Sequence, residues 1–526
     1  MVDLLIRNGT VLSDSSLFQA DIGISHGRIV AIGELSSVRA RREIDASGMY
    51  VSPGFIDIHS HDDLMLMEDE PYLPKILQGI TTVVTGNCGI SAAPFNEKNS
   101  FFLMQNRAVL GELSQMRKEC SWNEFLEIIS SAPLCTNILP LVGHGNLRTM
   151  VRGCNSGPLS QEELSSMESL LEKIMKRGCG GLSSGLTYPP GIFASFEELN
   201  SLCRVVARWN GIYATHIRNE GNALTEALAE AVSVAVDSGV SLQISHFKSA
   251  GHNAGKTLES AIDLLESARQ KGIELFCDQY PYTFAATTLT SLFPGWMHEG
   301  GMSAFLGRLE DPSSRKRAEA EVGRRNPIWE DSVALCGWDR IFLRNASFPE
   351  NLPFVGASIA QSADSMKKSP FTFLCDFLLA EKGRATMAMD LVSEESLRTI
   401  MKLPFVFGGS DGLPVPGVHP RLCGSFPRIL GMYVREEAVL SWTEAIWKLS
   451  TGPAQRLGLK KRGAISKDYI ADIVIFNPDT VRDRATFQDT HLPPAGIEWV
   501  LVGGTVVVEE GTHTGVTPGK ILSREG

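Results

Sequence analysis

The chain has 526 residues, 43% apolar and 21% charged, enough to bury a large core and too long for one simple small domain. Its net charge of -11 argues against a nucleic-acid surface, because phosphate binding needs a concentrated basic face. Ten cysteines without paired spacing, no signal peptide, no lipidation motif and no apolar run of about 18 residues point to a cytoplasmic protein that leaves membranes alone.

Residues 1–52 read as short strands. Asn8-Gly9 and His26-Gly27, each flanked by apolar runs, predict hairpin turns. The far end is similar, with strand-like runs at 470–476 and 497–502 and a turn at Gly503-Gly504. Neither end alone makes a stable sheet. The economical solution is one small β-sandwich domain from residues 1–52 and 455–526, with 53–454 inserted into it.

The middle alternates strands and helices. Strands are expected to end near His61, Cys88, His144, Gly185, His216, Lys248, Tyr280 and Asp411. Segment 160–177 carries a 3.6-residue apolar stripe, opens with Ser160-x-x-Glu163 and stops at Gly178. Ser195-x-x-Glu198 opens another helix, and 224–236 and 258–268 supply two more. Eight strands separated by helices predict a (β/α)8 barrel. The alternative, an open doubly wound sheet, lacks a G-x-G-x-x-G after an early strand. About 120 residues separate Tyr282 from the last strand, far more than an ordinary connection. An insertion over about 290–400 on the active-site side accounts for it; an oligomer contact or a flexible excursion is the competing reading. Its segment 315–325 is charged and helix-prone.

Polar residues recur at the strand ends, where barrel active sites lie. His59 and His61 leave one strand on one face, since successive strand residues point to opposite sides. Later strands add Cys88, His216, His246 and Asp411. Singly, each is more often a buried small hydrophobe or a satisfied polar residue. Together they need a common cause, and zinc accepts imidazole nitrogen, thiolate and carboxylate oxygen alike.

The stretch Gly54-Phe-Ile-Asp-x-His59-x-His61 resembles the opening of the amidohydrolase superfamily. Gln78 to Pro94, with its Gly-Asn-Cys88-Gly element, is similar to the N-acyl-D-amino-acid deacylase (D-aminoacylase) family. So are Gly181-Leu-Ser-Ser-Gly-Leu-Thr-Tyr-Pro-Pro190, Thr215-His-Ile-Arg-Asn-Glu220, Ser245-His-Phe-Lys248, Asp278-Gln-Tyr-Pro-Tyr282 and Ser410-Asp-Gly-Leu-Pro414. Many superfamily members bridge two metals with a carbamylated Lys on strand 4; Gly181 to Gly185 here has none.

The resemblance implies one tight zinc site at Cys88, His216 and His246. It implies a second, weaker or empty site at His59 and His61, with Cys88 able to bridge. Asp411 is implied as the catalytic carboxylate, and Lys248, Tyr280 and Arg421 as residues that hold a substrate carboxylate. Tyr282 stands as the alternative to Tyr280, and Arg428 to Arg421, because the stretch from Asp411 to Arg421 is one residue short of the family spacing. Tyr188 and His144 are candidate oxyanion donors. The expected activity is zinc-dependent hydrolysis of N-acyl-D-amino acids, so the expected partner is a small molecule. The run 283–296 contains no Lys or Arg, which predicts a neutral side chain on the substrate. A cyclic-amide hydrolase is the second enzyme reading, against which Cys88 and the missing strand-4 Lys argue; a non-catalytic scaffold should have lost these ligands.

Overall fold

The computed structural model describes all residues except 98, 100, 101, 104, 105, 112–116, 252–254, 325–328, 525 and 526. Eight short parallel strands form a barrel. They are Phe55–Asp57, Ile80–Thr85, Asn137–Pro140 continued by Val142–Gly143, Gly181–Gly185, Ile212–His216, Ser241–Ile244, Leu275–Gln279 and Val406–Gly408. The ring closes between the last strand and the first, where the Asp411 amide donates to the His59 carbonyl at 2.8 Å. Ile56, Val84, Leu139, Ile212, Ala214 and Phe407 from five of these strands are buried in one cluster.

The intervening helices start where local chemistry sets them. Ser160 accepts from the Glu163 amide while the Glu163 carboxylate caps Ser160 in return, opening Gln161–Met175. Ser195 caps Phe196–Arg208 in the same way. There the reciprocal half is missing, because the Glu198 carboxylate turns inward to His144 and Arg148. Among the described residues no helix is long and apolar enough to cross a membrane.

Both chain ends meet in a nine-stranded sheet. Tyr50–Pro53, which leads into the first barrel strand, pairs antiparallel with Ile473–Phe476. Val2–Leu12 is the branch point, bonded to Leu17–Ser25, Ala40–Asp45 and Tyr50–Pro53. Asn8-Gly9 is not a hairpin but a bulge inside Val2–Leu12. Asn8 adopts φ 60° while its amide and side chain bond Asp21 and Asp45, and a Cβ at Gly9 would lie 2.5 Å from Val51. His26-Gly27 and Gly503-Gly504 do turn hairpins, all four residues having positive φ. The C-terminal segment leaves the sheet: Ile138 of the third barrel strand donates to Lys520, and Leu522 donates to Ile138. Residues 519–522 thus pair with the barrel, not with the terminal domain assigned from sequence.

The long connection begins earlier than expected. Phe284–Thr288 and Ile341–Leu343 flank Thr386–Asp390 in an antiparallel three-stranded sheet. The same connection holds the helices Met302–Glu310 and Pro312–Glu321, whose Phe305, Leu309 and Ala318 share a buried cluster with Ile341, Leu343, Met387 and Met389. This subdomain faces the cavity at the strand ends through Ala286, Thr288, Met389 and Leu391. The charged helix lies away from that cavity, with Arg315 on Asp376 and Arg317 on Glu321 and Trp296; Arg325 falls outside the described residues.

Candidate active site

Cys88 stands at the centre. After the second strand the chain reverses through Gly86 (φ 74°), Cys88 (φ 52°) and Gly89 (φ 77°). A Cβ at Gly86 would clash with the Leu141 carbonyl, so only glycine permits this turn to nestle against the third strand. His246 (φ 36°) and Asp411 (φ 47°) also sit in the left-handed region. Such strain costs about 1–3 kcal/mol per residue and concentrates at functional sites. Here it turns three strand-end side chains toward one point.

Two groups of potential ligands share Cys88. His59, His61, Cys88 and Asp411 form one; Cys88, His216 and His246 form the other; within each, the ligand atoms lie within 4.8 Å of one another. The Cys88 Sγ is 3.3 Å from His59 Nε2 and 3.5 Å from His246 Nε2. Asp411 Oδ1 is 3.1 Å from His61 Nε2 and 3.4 Å from His59 Nε2.

The far ring nitrogens are held by carboxylates. His59 Nδ1 meets Asp278 at 2.8 Å, and His246 Nδ1 meets Glu220 at 2.8 Å. A carboxylate behind an imidazole fixes the ring and raises its basicity toward a metal. Sequence reading assigned neither Asp278 nor Glu220 a role, although both lie in motifs it quoted, Glu220 four residues beyond His216. Asp57 was missed too. It accepts from buried Lys75 at 2.9 Å and from the Ser410 amide at 2.8 Å, tying the first strand to the loop that carries Asp411.

The electrostatics favour positive charge at the centre. Burial raises a thiol's pKa, yet His59 and His246 hold Cys88 well below its ordinary value. Burial opposes a charged imidazole, yet Asp278, Cys88 and Asp411 hold His59 well above its ordinary value, and Asp411 and Cys88 raise His61 to about 9. His246 is likewise raised to about 9, by Glu220 and Cys88 against burial and Lys248. His216 moves the other way, lowered by burial, but the anionic groups Cys88, Asp411, Asp278 and Glu220 around the other three imidazoles favour a cation. Imidazole nitrogen, thiolate and carboxylate are the donors zinc prefers, so the residues fit a metal.

Around the centre lies one cavity. It is lined by Tyr188, Lys248, Tyr280 and Arg421 besides His61, Cys88, His216, His246 and Asp411. Arg421 pairs with Asp411 at 2.9 Å, and Arg421 and Lys248 lie 4.7 and 5.7 Å from the Tyr280 ring centre. Against burial, Arg421, His59 and His61 hold the Asp411 carboxyl well below the usual carboxylate range. Tyr188 donates to the Cys88 carbonyl at 2.6 Å.

The alternatives from sequence separate here. Tyr282 and Arg428 face Asp483, and neither lines the cavity, unlike Tyr280 and Arg421. His144 is a correction. Its Nε2 meets Glu198 at 2.7 Å in a buried network with Arg148, and it does not line the cavity. The third strand ends directly in the helix His144–Arg152, so His144 opens a helix and meets Glu198 of the helix Phe196–Arg208.

A thiolate, imidazoles and a carboxylate converging at the mouth of an eight-stranded barrel define a metal-dependent amidohydrolase, a class that cleaves C–N amide bonds. Residues 42–115 and 368–508 match the Amidohydrolase family. The chain is 34% identical to a D-aminoacylase of Alcaligenes xylosoxydans xylosoxydans over 99% of its own length and 98% of that protein. It is also 34% identical to an N-acyl-D-glutamate deacylase of the same organism, covering 100% and 97%. The N-acyl-D-glutamate deacylase from Bordetella bronchiseptica, solved with zinc and a phosphonate mimic of the tetrahedral intermediate, superposes with a TM-score of 0.83 at 30% identity, covering 99% of each chain. The chain belongs to the D-aminoacylase, or N-acyl-D-amino-acid deacylase, family of amidohydrolases.

Proposed function

We propose that this protein hydrolyses the amide bond of N-acyl-D-amino acids, releasing a free D-amino acid and a carboxylate. The observation that carries the reading is the one cavity lined together by Cys88, Asp411, Lys248, Tyr280 and Arg421. Handedness rests on the family, whose relatives match over the full chain.

Zinc is the proposed metal, tightly held by Cys88, His216 and His246, with a second, weaker position at His59 and His61. When bound it supplies Lewis acidity, lowering the pKa of water and polarising the amide carbonyl. The chain's own residues do the rest. Asp411 takes the proton of the attacking water and returns it to the leaving nitrogen, which otherwise departs as a poor anion. Arg421 and Lys248 hold the substrate carboxylate, and the Tyr280 ring between them sets its plane. Tyr188, on the cavity wall, is the proposed donor to the developing oxyanion, its hydroxyl hydrogen turning to it from the Cys88 carbonyl. The cyclic-amide alternative loses support, because Cys88 occupies the centre and strand Gly181–Gly185 offers no Lys.

The test is a panel of N-acetyl-D- and N-acetyl-L-amino acids with zinc-replete protein, the methyl ester of a good substrate serving as control. Amine release from D-substrates with a free carboxylate is expected. Release from L-substrates alone, or equal kcat/KM for acid and ester, contradicts the reading.

A further inference from the structure

One charged group on the cavity wall has no part in the chemistry above. Glu330, from the insertion, lines the cavity beside Ser332, Met389 and Leu391. One carboxylate oxygen, Oε2, accepts the Glu220 amide at 2.6 Å, which fixes the side chain in place. The Lys and Arg side chains of the described lining are Lys248 and Arg421, and each already faces a carboxylate, Glu220 at 2.6 Å and Asp411 at 2.9 Å. Lys248 and His246 act on Glu330 only from a distance, so its carboxylate has no ion-pair partner of its own among the described residues. Burial and neighbouring Glu220 raise the Glu330 carboxyl to about 7, as expected of a carboxylate without its own counter-charge.

We infer that Glu330 is a specificity-determining residue that receives the substrate's side chain and selects one tipped with an ammonium over an apolar or acidic one. The inference rests on the N-acyl-D-amino-acid reading and refines its substrate class. An ammonium meets the Glu330 carboxylate and gains a charge-assisted hydrogen bond. An apolar chain of equal length leaves that carboxylate desolvated and unpaired. An acidic chain brings a second anion against the Glu330 carboxylate, which is rejection by repulsion. A site built to bond a polar tip discriminates more strongly than one that only fills space.

The experiment compares N-acetyl-D-lysine, N-acetyl-D-norleucine and N-acetyl-D-glutamate with zinc-loaded wild type and Glu330→Gln. Norleucine has the same carbon chain without the ammonium. Gln retains an acceptor for the Glu220 amide. Wild type is expected to favour lysine over norleucine, and the variant to lower that ratio about tenfold while norleucine changes less than about threefold. No lysine advantage in wild type, or an unchanged ratio in the variant, overturns the inference. Calorimetry with free D-lysine and D-norleucine reads the same contact without turnover. If no N-acyl-D-amino acid is hydrolysed, the functional reading fails, while tighter D-lysine binding that Glu330→Gln abolishes still supports this role for Glu330. Equal binding of the two refutes it.

Discussion

Asp411 faces two imidazoles and a guanidinium at once. Its Oδ1 lies toward His59 and His61, and its Oδ2 toward Arg421. These neighbours keep it ionised, which a general base requires before it can take a proton. Asn at this position keeps the size and loses the proton shuttle. Asp411→Asn is expected to retain metal at Cys88, His216 and His246 while kcat falls about 10²–10⁴-fold. Metal analysis beside steady-state kinetics checks both halves, and a loss below about tenfold assigns the acid–base role elsewhere.

At the scale of elements, the loop after the second strand is the critical piece. Gly86 sits at φ 74° where a Cβ would meet the Leu141 carbonyl, and Cys88 follows two residues later. Gly86→Ala brings both left-handed strain and a backbone clash. A destabilisation of at least about 2 kcal/mol is expected, since strain of this kind costs about 1–3 kcal/mol before the clash is counted. Metal content should fall with it, because the loop can relax only by moving Cys88. Denaturant titration and zinc analysis of the variant test this; wild-type stability with full zinc would show that the third strand yields instead.

The whole molecule concentrates buried charge at one point. Cys88, Asp411, Asp278 and Glu220 surround His59, His61, His216 and His246, on elements drawn from most of the barrel. A cation there links strands that are otherwise joined only to their neighbours. Binding to the native state alone stabilises it, by about 4 kcal/mol when free metal is 1,000 times Kd. Removing metal with a chelator is therefore expected to lower the melting temperature by several degrees, and zinc to restore it. Cys88→Ala should show little of this shift. A melting temperature indifferent to chelation in wild type would show that the centre is not coupled to folding.

Some of this was legible in the chain itself. Alternating strands and helices are local patterns, so barrel strands fall where apolar runs end in His61, Cys88, His216 or Asp411. Ser160-x-x-Glu163 announces its helix because a capping box is closed within four residues. Other features were decided only by tertiary structure. Asn8-Gly9 has the composition of a hairpin, but Asp21 and Asp45 hold it as a bulge. His144 follows a strand like the other histidines, yet Glu198 claims it from another helix. Tyr280 and Tyr282 are indistinguishable until one ring lies between Lys248 and Arg421 and the other faces Asp483. Glu330 sits in an irregular stretch with no periodicity to mark it, and only folding brings it to the Glu220 amide. Periodicity and capping act within a few residues and can be read along the chain. The direction of a side chain beyond the end of a strand, and the choice of a charged partner a hundred residues away, are fixed by packing that exists only once the barrel has closed.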